Sequence, residues 1–153
     1  MRVTLSSAAC NAGKGLAAGV IGTAAMTVSS TLEARIRGRP PSTAPADAAA
    51  KVLGIAQFSD DRARSRFSTV VHWSYGTGWG LVRGMLAEAG LGPGAATAVH
   101  LAVVWGSELV MLPALGVAPP GTEWQPEEIA IDAAHHVVYA LGTTLGFALL
   151  QRR

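Results

Sequence analysis

Six ionisable side chains in this chain sit where a hydrophobic sequence should have none: Glu33, His72, Glu108, Asp132, His135 and His136. A charge at the centre of a bilayer costs about 2.5–3.5 kcal/mol on the insertion scale, so each of these needs a partner or a purpose. Imidazoles and carboxylates together can pass protons near neutral pH, bind a small solute, or ligate a metal ion. His136 lies one helical turn after Asp132, and His135 lies three residues after it, so either ring could be oriented by that carboxylate. The two rings project about 100° apart on a helix, and only one can face a bundle centre. His136 is the better choice, because Asp132, His136, Tyr139 and Thr143 make one polar stripe, whereas His135 heads a small-residue stripe with Gly142 and Gly146.

These residues must be positioned by long apolar helices. Of 153 residues, 50% are hydrophobic and 14% charged, with a mean hydropathy of +0.33. The stretches 15–32, 89–107 and 133–151 contain no Asp, Glu, Lys or Arg, and each approaches the roughly 20 residues that cross a bilayer. A fourth, 67–87, is interrupted by Arg83 alone. The expected fold is all-α: an antiparallel four-helix transmembrane bundle forming a single membrane domain over 1–153, with spans at about 14–33, 66–89, 94–113 and 127–150. Pro40 and Pro41 end the first span, and Gly90 to Pro93 allows only a tight hairpin between the second and third. Pro113, Gly116, Pro119 and Pro120 end the third, and Pro126 with Glu127 and Glu128 opens the fourth. Between spans one and two, a short amphipathic surface helix starts after Ser42 and Thr43 and presents Val52, Ile55 and Phe58 to the membrane surface. Ser59, Asp60 and Asp61 begin the helix that carries the second span.

On this topology His72, Glu108, His135 and His136 all lie roughly 8–12 Å below the same membrane face, at 1.5 Å per residue. Glu33, with Ser29 and Ser30, brings the first helix to that level, while His100 enters from the opposite end. Small residues at four-residue spacing mark the packing faces: Gly15 and Gly19, then Gly76, Gly80 and Gly84, then Gly142 and Gly146. Arg83 reads as a side chain snorkelling from near the hairpin. Trp73, Tyr75, Trp79 and Trp105 read as helix contacts or interfacial aromatics, and Trp124 as an interfacial anchor.

Other classes are excluded or weakened. The net charge of +2 comes from dispersed arginines, which is no nucleic-acid face. Cys10 is the only cysteine, so no internal disulfide or thiolate metal cluster exists. Gly15–Met26 reads as a retained helix rather than a signal peptide. No serine has a histidine and acid arranged for nucleophilic catalysis, and the Gly76, Gly78, Gly80 run lacks both the strand and the spacing of a nucleotide loop. Basic residues number seven in the first loop (Arg35, Arg37, Arg39, Lys51, Arg62, Arg64, Arg66) against five on the terminal side (Arg2, Lys14, Arg83, Arg152, Arg153). That balance favours cytoplasmic loops and outward termini.

Two stretches carry a family resemblance. Glu33 followed by Arg37-Gly38-Arg39-Pro40-Pro41-Ser42, and Leu112-Pro113-Ala114-Leu115-Gly116-Val117-Ala118-Pro119-Pro120 leading to Trp124, Glu128 and His135-His136, resemble the YagU-like bacterial inner-membrane proteins. The resemblance implies a small multi-pass protein of the plasma membrane and supplies no catalytic residues.

Three functions are left open. The first is a small transport or channel-like component whose polar cluster handles protons or a small solute. The second is an oxidoreductase component holding a metal ion on His72, Glu108 and His136, with Asp132 behind them, or a haem between His72 and His136. The third is a structural accessory subunit, in which the cluster is hydrogen-bonded glue. The partners expected are the lipid bilayer and either a homo-oligomer or a larger membrane complex built on the glycine ridges.

Overall fold

The computed structural model describes residues 5–152, so Arg2 and Arg153 of the charge balance lie outside the described residues. Its described secondary structure is all helical: α1 (Leu5–Arg37), α2 (Ala44–Val52), α3 (Asp61–Glu88), α4 (Pro93–Ala114), a single 3-10 turn at Gly121–Glu123, and α5 (Pro126–Gln151).

Helix ends follow local chemistry. The Asp60 carboxylate accepts the Ala63 amide at 2.7 Å and so caps α3, and the Gln125 amide donates to Glu128 Oε2 at 3.0 Å at the start of α5. Two ends differ from expectation. The surface helix stops at Val52, because Gly54 turns left-handed (φ 69°) and the Ile55 amide closes back on Ala50 O at 2.8 Å. Ile55 and Phe58 therefore leave the helix; Phe58 instead packs on Phe67, with ring centroids 5.2 Å apart. The α2 face that is buried is Ala46, Ala48 and Ala50, while Val52 is 69% exposed. Likewise α4 runs through Pro113 and ends where Gly116 (φ 62°) lets the Val117 amide reach Leu112 O at 2.9 Å. Proline in a last turn removes one hydrogen bond but does not force the stop that glycine does.

Three helices, α1, α4 and α5, are long and apolar enough to cross a membrane. The expected fourth, α3, falls short of that standard. Arg62, Arg64 and Arg66 crowd its first turns, and Ser, Thr, Gly, His, Trp and Tyr fill much of the rest.

Helix α1 lies antiparallel against both α3 and α5. A Cβ added to Gly80 would strike Gly15 O and come within 2.8 Å of Gly19 Cα; one on Gly19 would come within 2.6 Å of Thr77 O. Gly76 faces Thr23, and Gly84 faces Asn11 O. On the other flank, Gly142 lies against Gly22 and Ala25, and Gly146 against Ile21 and Ala18. The glycine ridges expected to serve an oligomer are thus occupied within the chain, where side-chain-free surfaces let the backbones meet. Near the hairpin, Ser7 and Asn11 of α1 both donate to Glu88 of α3. Helix α4 packs on α5, where Thr144 donates to Thr97 (2.7 Å), because the Thr97 hydroxyl proton is already given to Pro93 O.

Tyr139 ties α5 to α3: its hydroxyl donates to Gly76 O at 2.6 Å, and the residue is 2% exposed. Tyr139→Phe should lower stability by about 1 kcal/mol, since it removes a buried hydrogen bond while keeping the ring. Thermal unfolding in detergent checks this, and an unchanged midpoint would mean that the carbonyl finds another donor.

Candidate functional site

At the loop end of the helices lies a cavity of about 720 Å³. Its wall includes Glu33, His72, Glu108, Asp132, His135 and His136, from all four long helices, and Pro45 of α2 with Pro41, Pro119 and Trp124 of the connecting loops line it as well. The loops are tied down: Lys51 on α2 donates to Leu115 O and Gly116 O at 2.7 and 3.0 Å, and Arg64 pairs with Asp47 at 3.2 Å.

Within that wall the six residues form three separate groupings. His136 Nε2 meets Glu108 Oε2 of α4 at 2.6 Å, and its Nδ1–H donates to the Asp132 carbonyl at 2.9 Å. The Asp132 carboxylate accepts the Trp105 indole at 2.8 Å. Ligand atoms of Glu108, Asp132 and His136 all lie within 4.8 Å of one another. The imidazole is 5% exposed in its side chain, against 22% for Glu108 and 26% for Asp132, so the ring stands behind two carboxylates that front the cavity.

His135 turns to α1. Its Nδ1 is 2.9 Å from Ser29 Oγ, and its Nε2 is 3.7 Å from Glu33 Oε2. Glu33 also takes Arg39 and, at 3.3 Å, Arg37; Arg37 reaches on to Glu127 at 2.5 Å. This ionic belt joins the end of α1 to the start of α5. In the sequence, the arginines of the belt bear on orientation and on the family resemblance but give no sign of these ion pairs.

His72 forms the third grouping. Its Nε2–H donates to Thr27 Oγ1 at 2.8 Å, because the Thr27 hydroxyl proton is already given to Thr23 O. The compact metal-competent group among the described residues therefore contains Asp132 where His72 was expected. The reason is packing: Gly76, one turn after His72, is pressed on Thr23, which aims His72 along α1 rather than at α5. Trp105 is an unmarked member of the site, although it lies three residues before Glu108 and so shares its face of α4.

Two basic residues lie away from the cavity. His100 is fully buried, donates from Nε2 to Trp79 O at 3.1 Å and packs on Tyr139 at 5.5 Å between rings. Arg83 does not snorkel. It is 3% exposed, with its guanidinium carbon 4.4 Å from the centre of the Phe147 ring, and neither Nε nor Nη1 has a hydrogen-bond partner among the described residues.

No protein family, curated protein or solved structure matches this chain.

Proposed function

We propose that the chain is a four-span protein of a bacterial-type plasma membrane, of the YagU-like kind, acting as a small transport component that passes protons or small cations through its loop-side cavity. The observation that carries this reading is the cavity itself, with Glu108, Asp132 and His136 set in its wall. Ionisable groups held in an apolar bundle and fronting a cavity with room for water are the usual equipment of an ion pathway.

Support for α3 as the fourth span comes from its length and its partner. Twenty-eight residues make a helix about 42 Å long. Its glycine ridge meets the backbone of α1, a helix apolar enough to cross, over Gly15, Gly19 and Thr23. Two helices in backbone contact over that distance share one depth, and an even span count puts both long loops on one side. Arg35, Arg37, Arg39, Lys51, Arg62, Arg64 and Arg66 favour the cytoplasm for that side.

The test is vesicle flux. Full-length protein is reconstituted into liposomes holding a pH dye, and a potassium diffusion potential drives proton entry. Entry should exceed that of protein-free vesicles at least tenfold and fall back towards that level in Glu108→Gln. Wild-type vesicles no leakier than empty ones, both to protons and to zinc read by a trapped zinc dye, would sink the transport reading.

A further inference from the structure

We propose that Glu108, Asp132 and His136 bind a divalent transition-metal ion that enters from the cavity. This deepens the reading above by naming the class of ion, and it rests on that reading only for the ion's passage, not for its binding.

Three features of the site point to a metal rather than to hydrogen-bonded glue. The first is orientation. His136 gives its Nδ1–H to a backbone carbonyl, so Nε2 is the atom presented to Glu108, and Asp132 Oδ2 is held by the Trp105 indole. Such outer hydrogen bonds to imidazole and carboxylate fix ligand geometry in metal sites and hold the lone pair towards the ion. Glue needs only that the polar groups satisfy each other.

The second is charge. Two carboxylates share the site with one imidazole, which can carry a single positive charge at most. No arginine or lysine pairs with Glu108 or Asp132 among the described residues, since Arg37 and Arg39 are engaged by Glu33 and Glu127. Without a proton on a carboxylate, the group keeps a net negative charge in surroundings of low dielectric, and a doubly charged cation balances it.

The third is ligand supply. Asp132 and His136 sit one turn apart on one face of α5 and chelate from a rigid element, while Glu108 closes from α4. One imidazole nitrogen with carboxylate oxygens suits zinc, manganese, iron(II), cobalt or nickel, rather than copper(I), which prefers sulfur. Three protein ligands leave a position open, and here it faces the cavity. The 2.6 Å between His136 Nε2 and Glu108 Oε2 must open to roughly 3.3 Å around a tetrahedral ion, a shift that a rotamer change of the partly exposed glutamate provides. His72 and His135 stay outside the set, each engaged by α1.

The test is cobalt(II) titration of the detergent-purified full chain after chelator treatment, read by visible absorption and by equilibrium dialysis against zinc. One equivalent should bind with a dissociation constant in the micromolar range or tighter. Glu108→Gln, Asp132→Asn and His136→Gln should each weaken binding at least 100-fold. Trp105→Phe, which leaves every ligand in place, should weaken it about tenfold, as loss of an outer partner does. His72→Gln and His135→Gln should bind as wild type. Monodisperse elution certifies each variant as folded, and Glu108→Gln keeps the partly exposed side chain's shape should the buried His136 variant fail. Wild-type protein that takes up no ion at millimolar metal, or Glu108→Gln and Asp132→Asn variants that bind as tightly as wild type, would overturn the proposal. Proton flux without metal binding would sink the metal site alone. Binding without flux would leave the metal site standing and sink the transport reading.

Discussion

Gly80→Val should leave little or no folded, monodisperse protein in detergent, a loss of about 3 kcal/mol or more. Gly80 faces α1 backbone on every side that a side chain would need: Gly15 O, Gly19 Cα and Gly19 N all lie inside contact distance of an added Cβ. A flexible side chain could swing aside, but backbone atoms of a helix cannot, so the two helices must separate. Overpacking in a well-packed core costs about 1–3 kcal/mol, and the loss grows when the whole contact opens. Separation of α1 from α3 would also part Thr27 from His72 and Glu88 from Ser7 and Asn11. The control is two residues away. Gly78 has nothing within 4 Å of an added Cβ, so Gly78→Ala should gain up to about 1 kcal/mol from helix propensity alone. Thermal unfolding followed by circular dichroism separates the pair, and a Gly80→Val protein as stable as wild type would show that α1 and α3 do not pack as described.

Much of this packing is legible in the sequence, and the reason is periodicity. Glycines four residues apart must fall on one face, so Gly76, Gly80 and Gly84 announced a ridge; which helix lies on it, and that the same α1 also meets Gly142 and Gly146 through Gly22, needed the fold. That polar residues of four helices come to one end of the bundle was legible too, because helix rise is fixed and they could be counted from the loops. Azimuth was not. His72 stands at the level of His136, yet Thr27 holds it against α1, and Asp132 fills the place beside Glu108 and His136. A few tens of degrees about a helix axis decide between a shared site and a shared wall, and sequence spacing fixes positions only relative to other residues of the same helix. Counting formal charges set α3 beside the other three helices, but past Arg66 its few charges stand among many polar side chains, so its hydropathy is lower than theirs. Of the four residues expected to end the third span, Gly116 makes the stop, and Pro113 within the last turn is tolerated.

Arg83 is the residue whose character the fold changed most, and Arg83→Met should raise stability by about 1–4 kcal/mol. Its backbone lies five residues inside the hairpin end of α3, roughly 7.5 Å along the helix, and the guanidinium is buried on Phe147 instead of snorkelling as expected of it. Its contact with Phe147 offers about 2 kcal/mol when desolvated, while an ion held away from water costs several. With Nε and Nη1 lacking partners among the described residues, nothing in the packing offsets the difference. Methionine keeps an unbranched stem against Phe147, keeps a favourable sulfur contact with the ring, and removes the charge. Replacing buried charges by apolar residues of similar volume is neutral or stabilising, whereas breaking a true pair destabilises by about 3–5 kcal/mol, so the sign of the change is diagnostic. Unfolding of Arg83→Met beside wild type gives that sign. A rise identifies a charge retained at the expense of stability, while a fall of several kcal/mol would mean that an anion, a lipid headgroup or another chain neutralises Arg83 in the folded protein.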